Sequence, residues 1–291
     1  MRPVTQGVVA SLASSIGFGF LDASTKVLVE SMTPAALLIL RTGCIVLLVL
    51  ASLAGLRGLR VLGTGAVVLT AVRSALFALT GVLVVIALAR LPLADTIALY
   101  FLSPVWTVFI AAMLLRERVT PLALTAALIG LAGMVLIMQP RQDGFSPAYL
   151  LPLLAGVSGA AQDVMARQLR GRTHPTALLL YGMLAILVVA PLAMPLEGFR
   201  PPGAPQRLLF AGCIAAAVIA YLFAAVSFQK APARVIAPLR YLNLVWAVLL
   251  GYFIWGSVPE PATFAGSGCI AVAGWICVHM MLREAPAAAR A

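Results

Sequence analysis

Two acid–base pairs of identical spacing stand in otherwise apolar sequence, Asp22 with Lys26 and Asp163 with Arg167. Residues four apart on a helix share a face, so each pair presents both charges together. The second pair lies 141 residues beyond the first. Charges inside a bilayer are costly and normally face a partner or a water-filled cavity. The chemistry on offer is therefore ionic, and two readings of it stand. The pairs are interfacial, their basic ends snorkelling to the headgroups, or they are gate elements, one toward each face. A second constellation repeats at 140 residues: Tyr100, Phe101, Ser103 and Trp106 against Arg240, Tyr241, Asn243 and Trp246. Trp and Tyr usually sit in interfacial belts, whereas these fall near the centres of apolar runs. Tyr100, Ser103, Trp106, Tyr241, Asn243 and Trp246 are accordingly the candidate substrate-binding residues, with tight helix packing as the alternative. Arg41 and Arg73 read as helix anchors. Arg240 suits either an anionic solute group or snorkelling.

Bond-making chemistry has no such candidates. His174 and His279 stand apart from each other and from any acidic or cysteine cluster. No nucleophile elbow and no phosphate-binding loop is present, which argues against an enzyme and against ATP hydrolysis by this chain. Cys44, Cys213, Cys269 and Cys277 all fall inside apolar runs without metal-like spacing, and read as small core residues. No cofactor and no metal is expected.

The elements that must position these residues are transmembrane helices. Hydrophobic residues make up 63% of the 291 and charged ones 10%, against about 25% charged in a soluble domain. Ten nearly uncharged runs follow one another, over 4–25, 34–55, 63–89, 95–115, 119–139, 146–166, 174–195, 207–228, 235–256 and 261–282. Twenty such residues rise about 30 Å as a helix, the thickness of the bilayer hydrocarbon. The run 96–115 carries Pro104 at its middle, which predicts a bend there. The first run resembles a signal peptide only superficially, because it has its own counterpart in the second half.

The net charge of +11 could suggest nucleic acid, but the basic residues lie in short intervals between runs. With the N-terminus placed in the cytoplasm, twelve of the twenty basic residues fall on the cytoplasmic side and five on the other. That asymmetry predicts both termini in the cytoplasm. Pro34 and Pro175, and Pro121 and Pro261, also recur at 140–141 residues, so the chain reads as a duplication. Five helices per half is an odd number, so the halves cross the membrane in opposite senses, an inverted repeat. The expected domains are 1–142 and 143–284, each a five-helix repeat, followed by a disordered tail over 285–291. Alternating access is expected to come from the two repeats moving against one another around a central cavity.

The residues Pro34 with Leu40-Arg41, Arg73, Leu102-Ser103-Pro104-Val105, Leu115-Arg116-Glu117-Arg118 and Gly130-x-x-Gly133 resemble the drug/metabolite transporter superfamily in its ten-helix, two-EamA-repeat form. The second half departs from that pattern, with Asn243-Leu244 in place of Ser-Pro and with Glu260 three positions beyond the match to Glu117. The resemblance implies an all-α membrane protein and a multi-pass secondary transporter of the bacterial inner membrane. It leans toward the superfamily's amino-acid exporters, aromatic amino acids included, with carriers of nucleotide-derived or drug-like solutes as the alternative. The implied partners are a small-molecule solute and the lipid bilayer, and not nucleic acid; the sequence assigns no oligomeric state.

Overall fold

The computed structural model describes residues 3–53, 62–115, 121–138, 146–169, 172–194, 199–230, 242–258 and 260–288. Within the described residues the apolar runs are helical, one of them in two pieces, as backbone in hydrocarbon must be, since lipid offers no hydrogen bonds. The first half contains α1 (Pro3–Leu28), α2 (Pro34–Ser52), α3 (Val67–Arg90), α4 (Leu93–Tyr100), α5 (Ser103–Leu115) and α6 (Pro121–Met138). The second contains α7 (Leu150–Gln168), entered through a 3-10 turn at Pro147–Tyr149, then α8 (Pro175–Ala193), α9 (Arg207–Lys230), α10 (Leu242–Trp255) and α11 (Pro261–Ala288). Five of the described helices are long and apolar enough to cross a bilayer by themselves. Large apolar side chains such as Leu47, Val68, Leu192, Leu208 and Phe253 are exposed on the outside of the bundle. That is a liability in water and the natural state in lipid.

The run around Pro104 is broken rather than bent. Its first part ends at Tyr100, Phe101 and Leu102 turn, and a new helix starts at Ser103 with Pro104 in its first turn. Proline lacks the N–H that would continue the earlier ladder, but at the start of a helix that N–H has no partner to lose. Opposite the break, α7 carries Gly156, where a Cβ would lie 3.2 Å from the Tyr100 carbonyl oxygen. At the far end, α11 continues to Ala288, beyond the point where a disordered tail is expected from the sequence.

The duplication is visible in local structure. Pro34 and Pro175 both open helices behind a capping side chain. Thr33 Oγ1 accepts from the Ala36 N–H at 3.3 Å, and His174 Nδ1 accepts from the Thr176 N–H at 3.3 Å. Pro121 and Pro261 likewise open α6 and α11.

The packing, however, interleaves the halves. α1 packs on α9 and α10, and the equivalent α7 packs on α3 and α5. α6 packs on α11, and α8 bridges α2 and α3. The extensive helix–helix contacts therefore cross between halves, and the two sequence repeats are interleaved in space. Two mixed bundles can be picked out, each centred on one helix: α1 with α9 and α10, and α7 with α3 and α5, the latter extended by α8 on α3. Small residues let the backbones meet. A Cβ on Gly17 would lie 2.8 Å from the Ala220 nitrogen, and one on Gly133 would lie 2.6 Å from the Gly266 oxygen.

Candidate transport cavity

Between the two mixed bundles lies a cavity of about 320 Å³. One wall is built by the α1 bundle, with Ser15, Phe18, Asp22, Tyr221 and Asn243. The facing wall belongs to the α3 bundle and to α4, with Arg73, Phe77, Thr80, Tyr100, Gln162 and Asp163. Arg41 of α2 completes the charged lining. On α1 the lining residues 11, 15, 18, 22 and 25 follow the 3.6-residue period of one helix face. They extend the cavity along about 21 Å of the helix axis.

The walls are tied by specific contacts. Tyr221 meets Phe18 edge-on at 5.5 Å between centroids and Phe77 at 6.3 Å. An aromatic group thus spans from one bundle to the other. Arg41 Nη1 donates to Thr25 Oγ1 at 2.8 Å, and Arg73 Nη1 donates to the Leu178 carbonyl at 2.7 Å with its guanidinium 5.2 Å from the Phe77 ring centroid. Ser158 and Thr80 share a hydrogen bond of 2.7 Å between α7 and α3. Beside these satisfied groups stand polar atoms without a hydrogen-bond partner: Ser15 Oγ, Gln162 Oε1, Asn243 Oδ1 and Arg73 Nε.

Of the expected binding residues, Tyr100 and Asn243 line the cavity. Trp106 and Trp246 lie outside its lining and pack beside glycines of the corresponding helices α7 and α1, at positions one turn apart in the repeat. The Trp246 Cβ lies 2.6 Å from where a Cβ on Gly19 of α1 would stand, and Trp106 Cδ1 lies 3.8 Å from the same point at Gly156 of α7. Ser103 sits at the break and is not in the lining. Tyr241 lies outside the described residues, as do Arg240 and the side chain of Arg167.

The acid–base pairs divide differently from their spacing. Asp22 and Asp163, expected near opposite faces, both line the one cavity. Lys26 turns away from Asp22 and donates to the carbonyls of Leu88 at 3.1 Å and Leu91 at 2.7 Å. Those carbonyls end α3 and lack partners within the helix, and a cation is favoured at that helix end. Lys26 also lies 5.7 Å from the Trp255 ring centroid, and Trp255 Nε1 donates to Glu30 Oε1 at 3.0 Å. These contacts join α1 and α3 to the end of α10. At the opposite end, Thr173 bonds Thr64 at 2.7 Å, and the Gly65 N–H donates to the Arg172 carbonyl at 3.0 Å.

Arg41, Arg73 and Gln162 are lining residues whose sequence signal is weak. A lone arginine in an apolar run looks the same whether it anchors a helix or faces a cavity. The signal that does exist is the period on α1, where Ser11, Ser15, Asp22 and Thr25 share a polar stripe.

A membrane bundle of this topology, with a charged cavity between interleaved halves, belongs to the class of multi-pass transporters. The chain matches the EamA-like transporter family over residues 5–139 and again over 146–278, and it is a member of that family. It is 26% identical to the pseudopaline exporter of Pseudomonas aeruginosa over 273 residues, covering 92% of this chain and 94% of that one. It is 29% identical to a riboflavin transporter of Rhizobium johnstonii over 199 residues, covering 68% and 65% of the two chains. A third relative, an S-adenosylmethionine uptake transporter of Rickettsia felis, is 27% identical over 177 residues, 60% of each chain. A solved crystal structure shares the fold with a TM-score of 0.61 at 21% identity, covering 97% of this chain and 99% of the other. The protein is thus a multi-pass membrane transporter whose relatives carry small metabolites.

Proposed function

We propose that the chain is a secondary exporter of amino-acid-type metabolites, aromatic ones included, working by alternating access in the bacterial inner membrane with both termini in the cytoplasm. The observation that carries this reading is the cavity lining, in which two aspartates and two arginines stand among the rings of Phe18, Phe77, Tyr100 and Tyr221. A zwitterion with an apolar or aromatic side chain matches each part of that lining. A polyanionic solute would call for an excess of basic groups, and here the signs balance. The volume of about 320 Å³ sits at the lower end of the roughly 300–1,000 Å³ typical of small-molecule sites.

Access would alternate as the α1/α9/α10 bundle moves against α3/α5/α7. The Lys26–Glu30–Trp255 cluster would release when the outer end opens, and the Thr64–Thr173 contact when the inner end does. A carrier of nucleotide-derived solutes is the second reading, favoured by the riboflavin and S-adenosylmethionine transporters among the relatives. Purified protein in liposomes loaded with unlabelled solute decides between them. Counterflow of labelled phenylalanine and small amino acids, without counterflow of riboflavin or S-adenosylmethionine, is the expected result. The reverse pattern refutes the amino-acid reading.

A further inference from the structure

We propose that Asp22 is the docking point for a protonated amine of the solute, with Ser15 and Gln162 as its polar flanks. The proposal deepens the transport reading above and rests on it. Four charged side chains line the cavity, and three of them are engaged. Arg41 is held by Thr25, and Arg73 by the Leu178 carbonyl and the Phe77 face. Asp163 has a partner of its own, and its charge acts on Arg73. Asp22 and Arg41 act on one another through their charges, but among the described residues no hydrogen bond or ion pair closes on the Asp22 carboxylate, which lines the cavity alongside Arg41. Asp22 is half-buried in the cavity wall, and a charge at that depth in a membrane protein normally faces a partner or a water-filled cavity.

The second observation is independent of Asp22. Ser15 is 3% exposed and Gln162 is 7% exposed, both line the same cavity, and neither Ser15 Oγ nor Gln162 Oε1 has a hydrogen-bond partner. Asn243 Oδ1, also in the lining, is unmet as well. Buried polar atoms are almost always satisfied, so unmet atoms in a cavity wall are met by water or by a polar group of the solute. Besides Ser15, which can donate or accept, and the Arg73 Nε–H on the facing wall, which can only donate, the unmet groups are acceptors: a carboxylate and two amide oxygens. Their complement is a group that brings positive charge and several N–H donors, which is a primary or secondary ammonium. A carboxylate or phosphate placed there would meet the Asp22 charge. Phe18, one turn from Asp22 on the same wall, and Tyr221 beside it offer apolar faces to the carbon skeleton next to the amine.

The test is binding to the purified full chain, read as a saturable rise in melting temperature. The probes are phenethylamine, 3-phenylpropionate, phenylalanine and N-acetylphenylalanine, each in sodium and in potassium chloride. Loss of a charge-assisted contact weakens binding by at least about tenfold. Phenethylamine and phenylalanine are expected to bind at least about tenfold more tightly than 3-phenylpropionate and N-acetylphenylalanine. Asp22→Asn, close to isosteric, should abolish that preference, whereas Glu260→Gln, outside the cavity lining, should keep it. Ser15→Ala and Gln162→Leu should each weaken amine binding several-fold. Equal binding of the acid and the amine, an unchanged preference in Asp22→Asn, or no binding by any probe overturns the proposal. So does an Asp22-dependent stabilisation by sodium that the amines do not compete with. An Asp22-dependent amine preference without counterflow of any amino acid leaves the site standing and removes the transport reading. Counterflow with the preference intact in Asp22→Asn does the opposite.

Discussion

Replacing Gly17 by alanine probes the claim that α1 and α9, although from opposite halves of the chain, form one body. The added Cβ would stand 2.8 Å from the Ala220 nitrogen, 3.0 Å from its Cα and 3.2 Å from the Ala216 oxygen. All three are backbone atoms, so no side chain can swing aside. Restoring an ordinary contact of 3.4 Å requires the helices to part by about 0.6 Å. The same displacement stretches the buried bond from Ser14 Oγ to the Ala220 carbonyl, now 2.9 Å, to the limit of a hydrogen bond. Overpacking costs about 1–3 kcal/mol and the lost bond about 1 kcal/mol, so the substitution should destabilise by roughly 2–4 kcal/mol. At about 2–4 °C per kcal/mol for chains of this size, the melting temperature should fall by roughly 4–16 °C. The assay is thermal unfolding of the detergent-purified protein by size-exclusion fluorescence. Internal controls come from Gly43, Gly212 and Gly268, where a Cβ meets nothing within 4 Å. Alanine there should be neutral or stabilising by up to about 1 kcal/mol, since glycine is the poorer helix former. A Gly17→Ala protein that melts with these controls refutes the α1–α9 packing.

The remaining expectations concern the walls and ends of the cavity. Trp246→Ala should lower stability by about 2 kcal/mol, less than for a fully buried ring, and slow transport of aromatic and small solutes alike. A loss confined to aromatic solutes would put that ring in the solute path. Lys26→Met removes the tie between α1 and the end of α3. It should raise labelling of a cysteine at Leu88, in a cysteine-free background, by an impermeant maleimide from the outer side; unchanged labelling would mean that Lys26 does not hold that end closed. Thr173→Val removes the hydroxyl shared with Thr64 and should cost about 1 kcal/mol, read as a melting shift of a few degrees. No shift would make that contact dispensable for the folded state.

Much of the architecture was legible in the sequence because lipid imposes a simple rule: apolar runs must close their own hydrogen bonds and become helices. The duplication was legible because prolines at 34, 121, 175 and 261 mark helix starts, where proline is tolerated. The interleaving of the halves was not, since nothing in a run's composition says which neighbour it packs on. Gly17 and Gly133 announce a close approach but not to Ala220 or Gly266. The site was partly legible for the same reason. Asp22, Asp163, Tyr100 and Asn243 are conspicuous in apolar sequence and do line the cavity. The i,i+4 spacing of Asp22 and Lys26 suggests a pair, yet the unpartnered carbonyls ending α3 compete for the lysine. The tryptophans at 106 and 246 pack on corresponding helices, α7 and α1, but each beside a different glycine and neither in the lining.

The central claim is that solute crosses through the cavity between the two mixed bundles, and filling that cavity tests it most directly. Gln162→Trp puts a large ring at a buried lining position where an amide oxygen now lacks a partner. Counterflow of labelled phenylalanine would be compared in liposomes holding the parent, the variant or no protein, with the variant first shown to elute as the folded monodisperse species. Transient accumulation is expected with the parent, and none above protein-free liposomes with Gln162→Trp. Accumulation by the variant at the parent's rate would contradict the central claim.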